Sequence, residues 1–188
     1  AVITGYGGSR TDLVIPDSIA GKQVTRIGEY AFLDNSDLRS VTLPEGLVSI
    51  GSGAFMDCDS LASVEISASV TEIGEGAFSG CSSLKEILVD QDNAHYVSID
   101  GALYNKEETE LICWPGGKND IHIKAGVTGI GTGAFSGCDG LISIEIPAGV
   151  TKIGDRAFSG CSGLISIQIP AGVTEIGEGA FCYCSSLI

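Results

Sequence analysis

The chain has 188 residues and a formal net charge of -14, with 24 Asp and Glu against 10 Lys and Arg. No Lys/Arg stripe is present to displace counterions from phosphates, which argues against nucleic acid and against a polybasic membrane contact. No run of about 20 apolar residues occurs, so no helical span is expected. Hydrophobic content of 44% and a mean hydropathy of +0.30 point instead to a large buried core.

Residues 1–23 read as an irregular opening unit. Val2-Ile3-Thr4 and Leu13-Val14-Ile15 are expected as strands around the turn-rich "GYGGSRTD", with Pro16 ending the second. "IAGKQ" then leads into a sentence that the chain repeats. All six phenylalanines occupy one place in it: Phe32, Phe55, Phe78, Phe135, Phe158 and Phe181, each after an alanine. A fixed period of 20 to 50 residues signals a solenoid or array.

Copies begin at Val24, Leu47 and Val70, and again at Val127, Val150 and Val173. Each opens on a short β-branched "VTxI" segment, expected to be extended. A glycine follows (Gly28, Gly51, Gly74, Gly131, Gly154, Gly177), read as a turn or close backbone approach. "xxAFxxC" is expected to make about one helical turn, with Ala and Phe inward. "LxxIxI" closes the copy as an alternating strand, often stopped by proline (Pro44, Pro147, Pro170). One copy cannot bury both of its faces alone, so neighbours must cover it.

Residues 93–126 interrupt the period. Asp100-Gly101 suits a two-residue hairpin turn between Val97-Ser98-Ile99 and Ala102-Leu103-Tyr104. Leu111-Ile112-Cys113-Trp114 reads as a third strand, stopped by Pro115-Gly116-Gly117. Ile121-His122-Ile123 is expected to replace the usual strand before Val127. The organisation is thus a single solenoid domain, 1–188. It comprises the opening unit 1–23, three repeats over 24–92, the hairpin unit 93–126, and three repeats over 127–188, the last incomplete. No signal peptide is visible. The chain opens mid-strand and stops where earlier copies begin a strand, so it reads as a piece of a longer one. The unfinished last copy is expected to expose a sheet edge open to end-to-end self-association.

These residues resemble the BspA-like leucine-rich repeat family, with its 23-residue Treponema-type repeat. The resemblance rests on six "IGxxAF" units, the "IP" strand ends, the start "ITGYGGSRTDLVIPDSIAGKQVTRIGEYAF", and the unit "YVSIDGALYNKEETELICWPGGK". It implies a right-handed, mainly β solenoid with a parallel sheet from the "LxxIxI" strands. Members are mostly bacterial proteins that are secreted or exposed at the cell surface, several implicated in adhesion. No catalytic residues carry over. Asn35 stands where later copies have cysteine, an exchange common in such repeats.

Candidate chemistry is sparse. Cys58, Cys81, Cys138, Cys161 and Cys184 follow the repeat phenylalanine by three, which puts them on one line as small buried groups. The alternatives are disulfides between coils, or a metal held by Cys161, Cys182 and Cys184, although the CxxC-type spacing is missing. Cys113, Trp114 and His122 could form a thiol–imidazole site, against the reading of a core-facing strand thiol. Asp90-Gln91-Asp92 with Asp100 resembles a calcium loop but lacks the D-x-D-x-D-G spacing. The reading is no enzyme, no cofactor and no metal.

The outward strand positions say more. Leu88, Ile142 and Ile165 are apolar where a strand should meet water, and Ile142 and Ile165 should be neighbours. Such a row marks a contact site or a harmless β-branched ladder. With Glu145 and Gln168 as a polar rim, and with Trp114 and His122 from the hairpin unit, it is the candidate ligand-binding surface. The functional expectation is a non-enzymatic recognition module engaging a host matrix or cell-surface protein, or a glycan. A structural spacer presenting another domain and an accessory module of a surface enzyme are the rival readings.

Overall fold

The computed structural model describes all 188 residues and consists of short strands and turns. The strands before the interruption are β1 (Val2–Ile3), β2 (Asp12–Val14), β3 (Ser18–Ile19), β4 (Lys22–Gln23), β5 (Arg26–Ile27), β6 (Ser40–Thr42), β7 (Ser49–Ile50), β8 (Ser63–Ile66), β9 (Glu72–Ile73) and β10 (Glu86–Val89). The insert supplies β11 (Tyr96–Ile99), β12 (Ala102–Asn105) and β13 (Glu110–Cys113). The second run supplies β14 (Gly129–Ile130), β15 (Ser143–Glu145), β16 (Lys152–Ile153), β17 (Ser166–Gln168) and β18 (Glu175–Ile176).

Each of the first five repeat coils contributes one strand to each of two kinds of parallel ladder, and the sixth contributes β18 alone. The "VTxI" segments form β1-β5-β7-β9 and β14-β16-β18, with Ile27, Ile50 and Ile73 in register. The "LxxIxI" segments form β2-β6-β8-β10 and, separately, β15-β17. The opening unit joins both ladders, since β1 pairs with β5 and β2 with β6. Beside them β3 and β4 make a small exposed hairpin, turned by Ala20 and Gly21 at φ 51° and 73°.

No helix forms at "AFxxC". Alternate amides there reach the next coil: Tyr30 N donates to Ser52 O at 3.0 Å, Phe32 N to Ala54 O at 2.8 Å, and Asp34 N to Met56 O at 2.9 Å. The intervening Leu33 amide turns back to Tyr30 O at 3.2 Å. A helix would spend every amide within its own coil. The turns instead build a third inter-coil ladder, which replaces the expected helical turn.

The aromatic rings stack along this ladder. Phe32–Phe55, Phe55–Phe78, Phe135–Phe158 and Phe158–Phe181 lie 4.9, 5.6, 4.9 and 5.4 Å apart and nearly parallel. Tyr6 takes the phenylalanine's place in the opening unit, 5.4 Å from Phe32, with its amide on Ala31 O. Trp114 does so in the insert, 6.0 Å from Phe135, with its amide on Ala134 O.

Asp100 and Gly101, at φ 52° and 78°, turn β11 into β12, and β12 pairs antiparallel with β13. Asn93, 1% exposed, ties the insert to the third coil. Its Nδ2 donates to Ser67 O and Val70 O at 2.8 and 2.9 Å, and its Oδ1 accepts from the His95 and Tyr96 amides. Ile121-His122-Ile123 does not become a strand, against expectation. None of these amides finds a backbone acceptor, so β15 and β17 start a ladder of their own.

The insert also divides the interior. Leu103 and Cys113 face a core that runs back to Ile15, while Ala102, Tyr104, Leu111 and Trp114 face a second core that runs on to Ala180. Alternation along β12 and β13 therefore buries both faces of one small sheet. The insert is also one-sided. At the turns the third and fourth coils touch directly, with Gly80 N on Ser136 O at 3.1 Å and Ser79 Oγ on Gly133 O at 3.2 Å. On the strand faces the insert separates them.

Candidate functional site

The outward face of β15 and β17 is built by parallel register. Ser143 lies beside Ser166 and Glu145 beside Gln168, while Ile144 and Ile167 point inward between them. Just before the strands, Ile165 N donates to Ile142 O at 2.9 Å, which sets these two isoleucines side by side. Ile142 is 62% exposed and Ile165 47%. The first run of repeats has Arg39, Ala62 and Lys85 at the corresponding places.

A groove of about 740 Å³ lies along the distal ends of the pair, lined by Glu145, Gln168, Ile146, Ile169 and Pro170. A second, of about 310 Å³, shares Glu145 and adds His122, Ile121, Ile123 and Pro147. His122 is open to solvent there, with Nε2 2.9 Å from Asp120 Oδ1. The expected strand at 121–123 does not form, and His122 lines the groove from irregular chain. The structure thus brings Glu145, Gln168 and His122 together and sets Ile142 and Ile165 at the other end of the same strands.

Two candidates fall elsewhere. Leu88 is exposed, but on β10, beside Glu65 of β8 in the other ladder. Trp114 is 2% exposed; its ring stacks on Phe135 and its Nε1 donates to Lys118 O at 3.3 Å, so it is core. It leaves the ligand-binding set because it completes the aromatic stack in the insert.

The reactive groups are muted. Cys113 is buried with Sγ facing Trp114 O at 3.6 Å, and burial pushes its thiol up to about 12. His122 is on the surface beside Asp120, so no thiol–imidazole pair forms. Asp90 Oδ1 accepts the Asp92 amide at 2.8 Å, closing a turn in place of a calcium loop. All seven cysteines are free thiols. No group of three His, Cys, Asp or Glu side chains is placed to hold a metal ion.

Sequence reading passed over the turn face. Two residues before each repeat phenylalanine the backbone is left-handed in all six coils, at Tyr30, Gly53, Gly76, Gly133, Arg156 and Gly179. Two residues after it the same holds at Asp34, Asp57, Gly80, Gly137, Gly160 and Tyr183. Glycine suits these positions; tyrosine and arginine do not. The signal was present as breaks in the glycine column, "IGEYAF" and "IGDRAF" against "IGxGAF".

Comparison with known proteins now decides the family. A model described as BspA type leucine rich repeat region matches residues 8–110 and 117–188, in six copies. The chain belongs to the BspA-type leucine-rich repeat family. The unmatched gap, 111–116, holds Trp114, a stack aromatic that stands outside the 23-residue spacing. A leucine-rich repeat protein from Eubacterium ventriosum is 24% identical, with a TM-score of 0.66 over 99% of this chain and 64% of its own. A leucine rich cell surface protein from Faecalibacterium prausnitzii is 31% identical, with a TM-score of 0.54 over 88% and 62%. The pneumococcal vaccine antigen PcpA is 22% identical, with a TM-score of 0.61 over 94% and 55%.

This BspA-type chain therefore spans 55% to 64% of the length of these three proteins. A search of curated proteins found none that matches it. The repeats of this family are non-enzymatic. No helix is long and apolar enough to cross a membrane.

Proposed function

We propose that this BspA-type chain is a recognition module of a bacterial surface or secreted protein. It engages a host matrix or cell-surface protein, or a glycan, through the outward face of β15 and β17. The observation that carries the reading is the Ile142–Ile165 pair. Two large apolar side chains stand exposed side by side where the chain enters neighbouring strands, at places where the first run of repeats offers Arg39, Ala62 and Lys85. Contiguous exposed apolar surface beside polar groups is the usual anatomy of a contact site. Glu145, Gln168 and His122 supply the polar groups along the same strands. The names of the Faecalibacterium cell surface protein and the pneumococcal antigen support a surface setting.

The test is a screen of immobilised matrix proteins and glycans against the wild type and against Ile142→Ser with Ile165→Ser. Binding by the wild type that the double variant loses, at an unchanged melting temperature, supports the surface. Equal binding by both removes it, and a wild type that binds nothing favours a spacer.

A further inference from the structure

The turn face carries a second surface, remote from β15 and β17. A groove of about 710 Å³ runs along it, and its lining draws on all six coils, from Tyr30 in the first to Tyr183 in the last. The one-sided insert accounts for that shape. Three extra strands separate the third and fourth coils on the strand faces, while Gly80 and Ser136 touch at the turns. The insert is a wedge, and a stack wedged on one side closes toward the other.

Its large side chains occupy backbone that the repeat reserves for glycine. Tyr30, Arg156 and Tyr183 sit at φ 53°, 52° and 61°. Left-handed backbone is strained for such residues. Burial does not offset the strain, for Tyr30 is 52% and Tyr183 85% exposed. The Tyr30 ring lies over Gly53 of the next coil and the Asp57 carboxylate over Gly80, so these side chains lie along the groove. Three carboxylates line it, on Glu29, Asp57 and Glu75, against the single cation of Arg156. None of the four is in an ion pair; the pairs are Asp120–His122, Glu108–Lys124 and Glu175–Lys152. Burial, then Asp59 and Asp34, raise the Asp57 carboxyl above its ordinary value, as crowded acids without a counter-charge do.

We infer that this groove binds an extended, lysine- or arginine-bearing segment of a partner protein, with Tyr30 and Tyr183 receiving its cations and Glu29, Asp57 and Glu75 pairing with them. Exposed tyrosine faces attract such cations, and an unpaired acidic groove complements them. Five coil steps of about 4.8 Å span roughly 24 Å, the length of an extended peptide of about seven residues. The one-sided insert shapes the groove, and the side chains that lie over Gly53 and Gly80, Tyr30 and Asp57, are the ones that meet the peptide.

The probe is a fluorescent eight-residue peptide alternating Lys and Ser, titrated against the 188-residue chain. A Glu/Ser peptide and a neutral hexasaccharide serve as comparisons. The Lys peptide should bind saturably, weaken with salt, and shift the amides of residues 30, 53, 57 and 75 in NMR spectra. Tyr30→Gly with Tyr183→Gly should weaken it at least tenfold at unchanged net charge. Because both changes restore the preferred glycine, the melting temperature should hold or rise. Ile142→Ser with Ile165→Ser should leave the affinity intact, which separates this surface from the one proposed above. Several outcomes would overturn the inference: wild-type affinity in the tyrosine double variant, shifts confined to the strand face, binding of the hexasaccharide in place of the peptide, or no binding at all. A fall of several degrees in the double variant would make the tyrosines structural and overturn it too.

Discussion

The thiol of Cys161 donates to the carbonyl of Phe135, 26 residues earlier, at 3.1 Å. Cys58 does the same to Phe32, Cys81 to Phe55 and Cys184 to Phe158. A side chain three places after one phenylalanine thus secures the preceding coil's turn. Cys138 stands apart, because its preceding coil is the insert, where Cys113 already faces the Trp114 carbonyl. Thiol labelling checks the arrangement. Cys58, Cys81, Cys113, Cys138 and Cys161 should react only after denaturation, and exposed Cys182 first in the native state. Rapid native labelling of the five would contradict it.

The same burial sets an alkaline limit. It raises Cys58 from 9.0 to about 11 and Cys113 and Cys161 to about 12. A raised thiol stays protonated in the folded chain while the unfolded chain ionises. Its contribution is whole below pH 9 and is lost as pH rises through the folded value. Each such thiol steepens the decline by about 1.4 kcal/mol per pH unit in that window. Urea melts from pH 8 to 11 should show progressive loss, and Cys161→Ala should show a shallower one. Equal slopes would mean that Cys161 titrates alike in both states.

Phe135 should be the costliest single residue of the second core. It is fully buried, with Trp114 on one side at 6.0 Å and Phe158 on the other at 4.9 Å. Phe135→Ala is expected to cost about 3–5 kcal/mol, the range for a buried aromatic. A loss under about 1 kcal/mol in a urea melt would contradict that place in the core.

The phenylalanine spacing was enough to read the stack, because one side chain recurs wherever a coil must fill its centre. Asp100-Gly101 was legible for a similar reason: two adjacent left-handed residues favour that dipeptide. Ala20 needs the same backbone without the same composition, so the β3–β4 hairpin was invisible. Trp114 and Tyr6 were missed as stack members because they lie 21 and 26 residues from the next phenylalanine. The turns were misread as helical because propensity says nothing of an amide's partner in the next coil. At the site, exposure of Ile142 and Ile165 followed from the repeat, whose "LxxIxI" turns both residues before the first isoleucine outward. The irregular backbone at His122 did not, since Ile121-His122-Ile123 has the composition of a strand and nothing in it shows that its amides go unpaired.

Gly101 offers a test of the hairpin. Its φ is 78°, and an added Cβ would come within 3.2 Å of Glu86 Cβ on β10. Gly101→Val combines left-handed strain with that contact, and should cost about 2 kcal/mol or more. Gly126, at φ 97° with open space around it, makes the control: Gly126→Ala should cost only the backbone strain, about 1 kcal/mol. Equal losses at the two glycines would show that the tip of the hairpin does not pack on β10.

The insert's two buried faces determine how the stack comes apart. Leu103 belongs to the first core, and its neighbour Tyr104 to the second. Stability in such arrays is a sum of local terms and nearest-neighbour interfaces. Leu103→Ala should remove about 2–5 kcal/mol from the first core. Trp114 is the single tryptophan and reports the second core alone. In urea, the far-UV circular dichroism transition of the variant should then broaden and begin earlier, with the Trp114 fluorescence midpoint moving less. If both signals shift together by the same amount, the insert couples the two cores into one cooperative unit, and the sheet between them is a joint that transmits rather than divides.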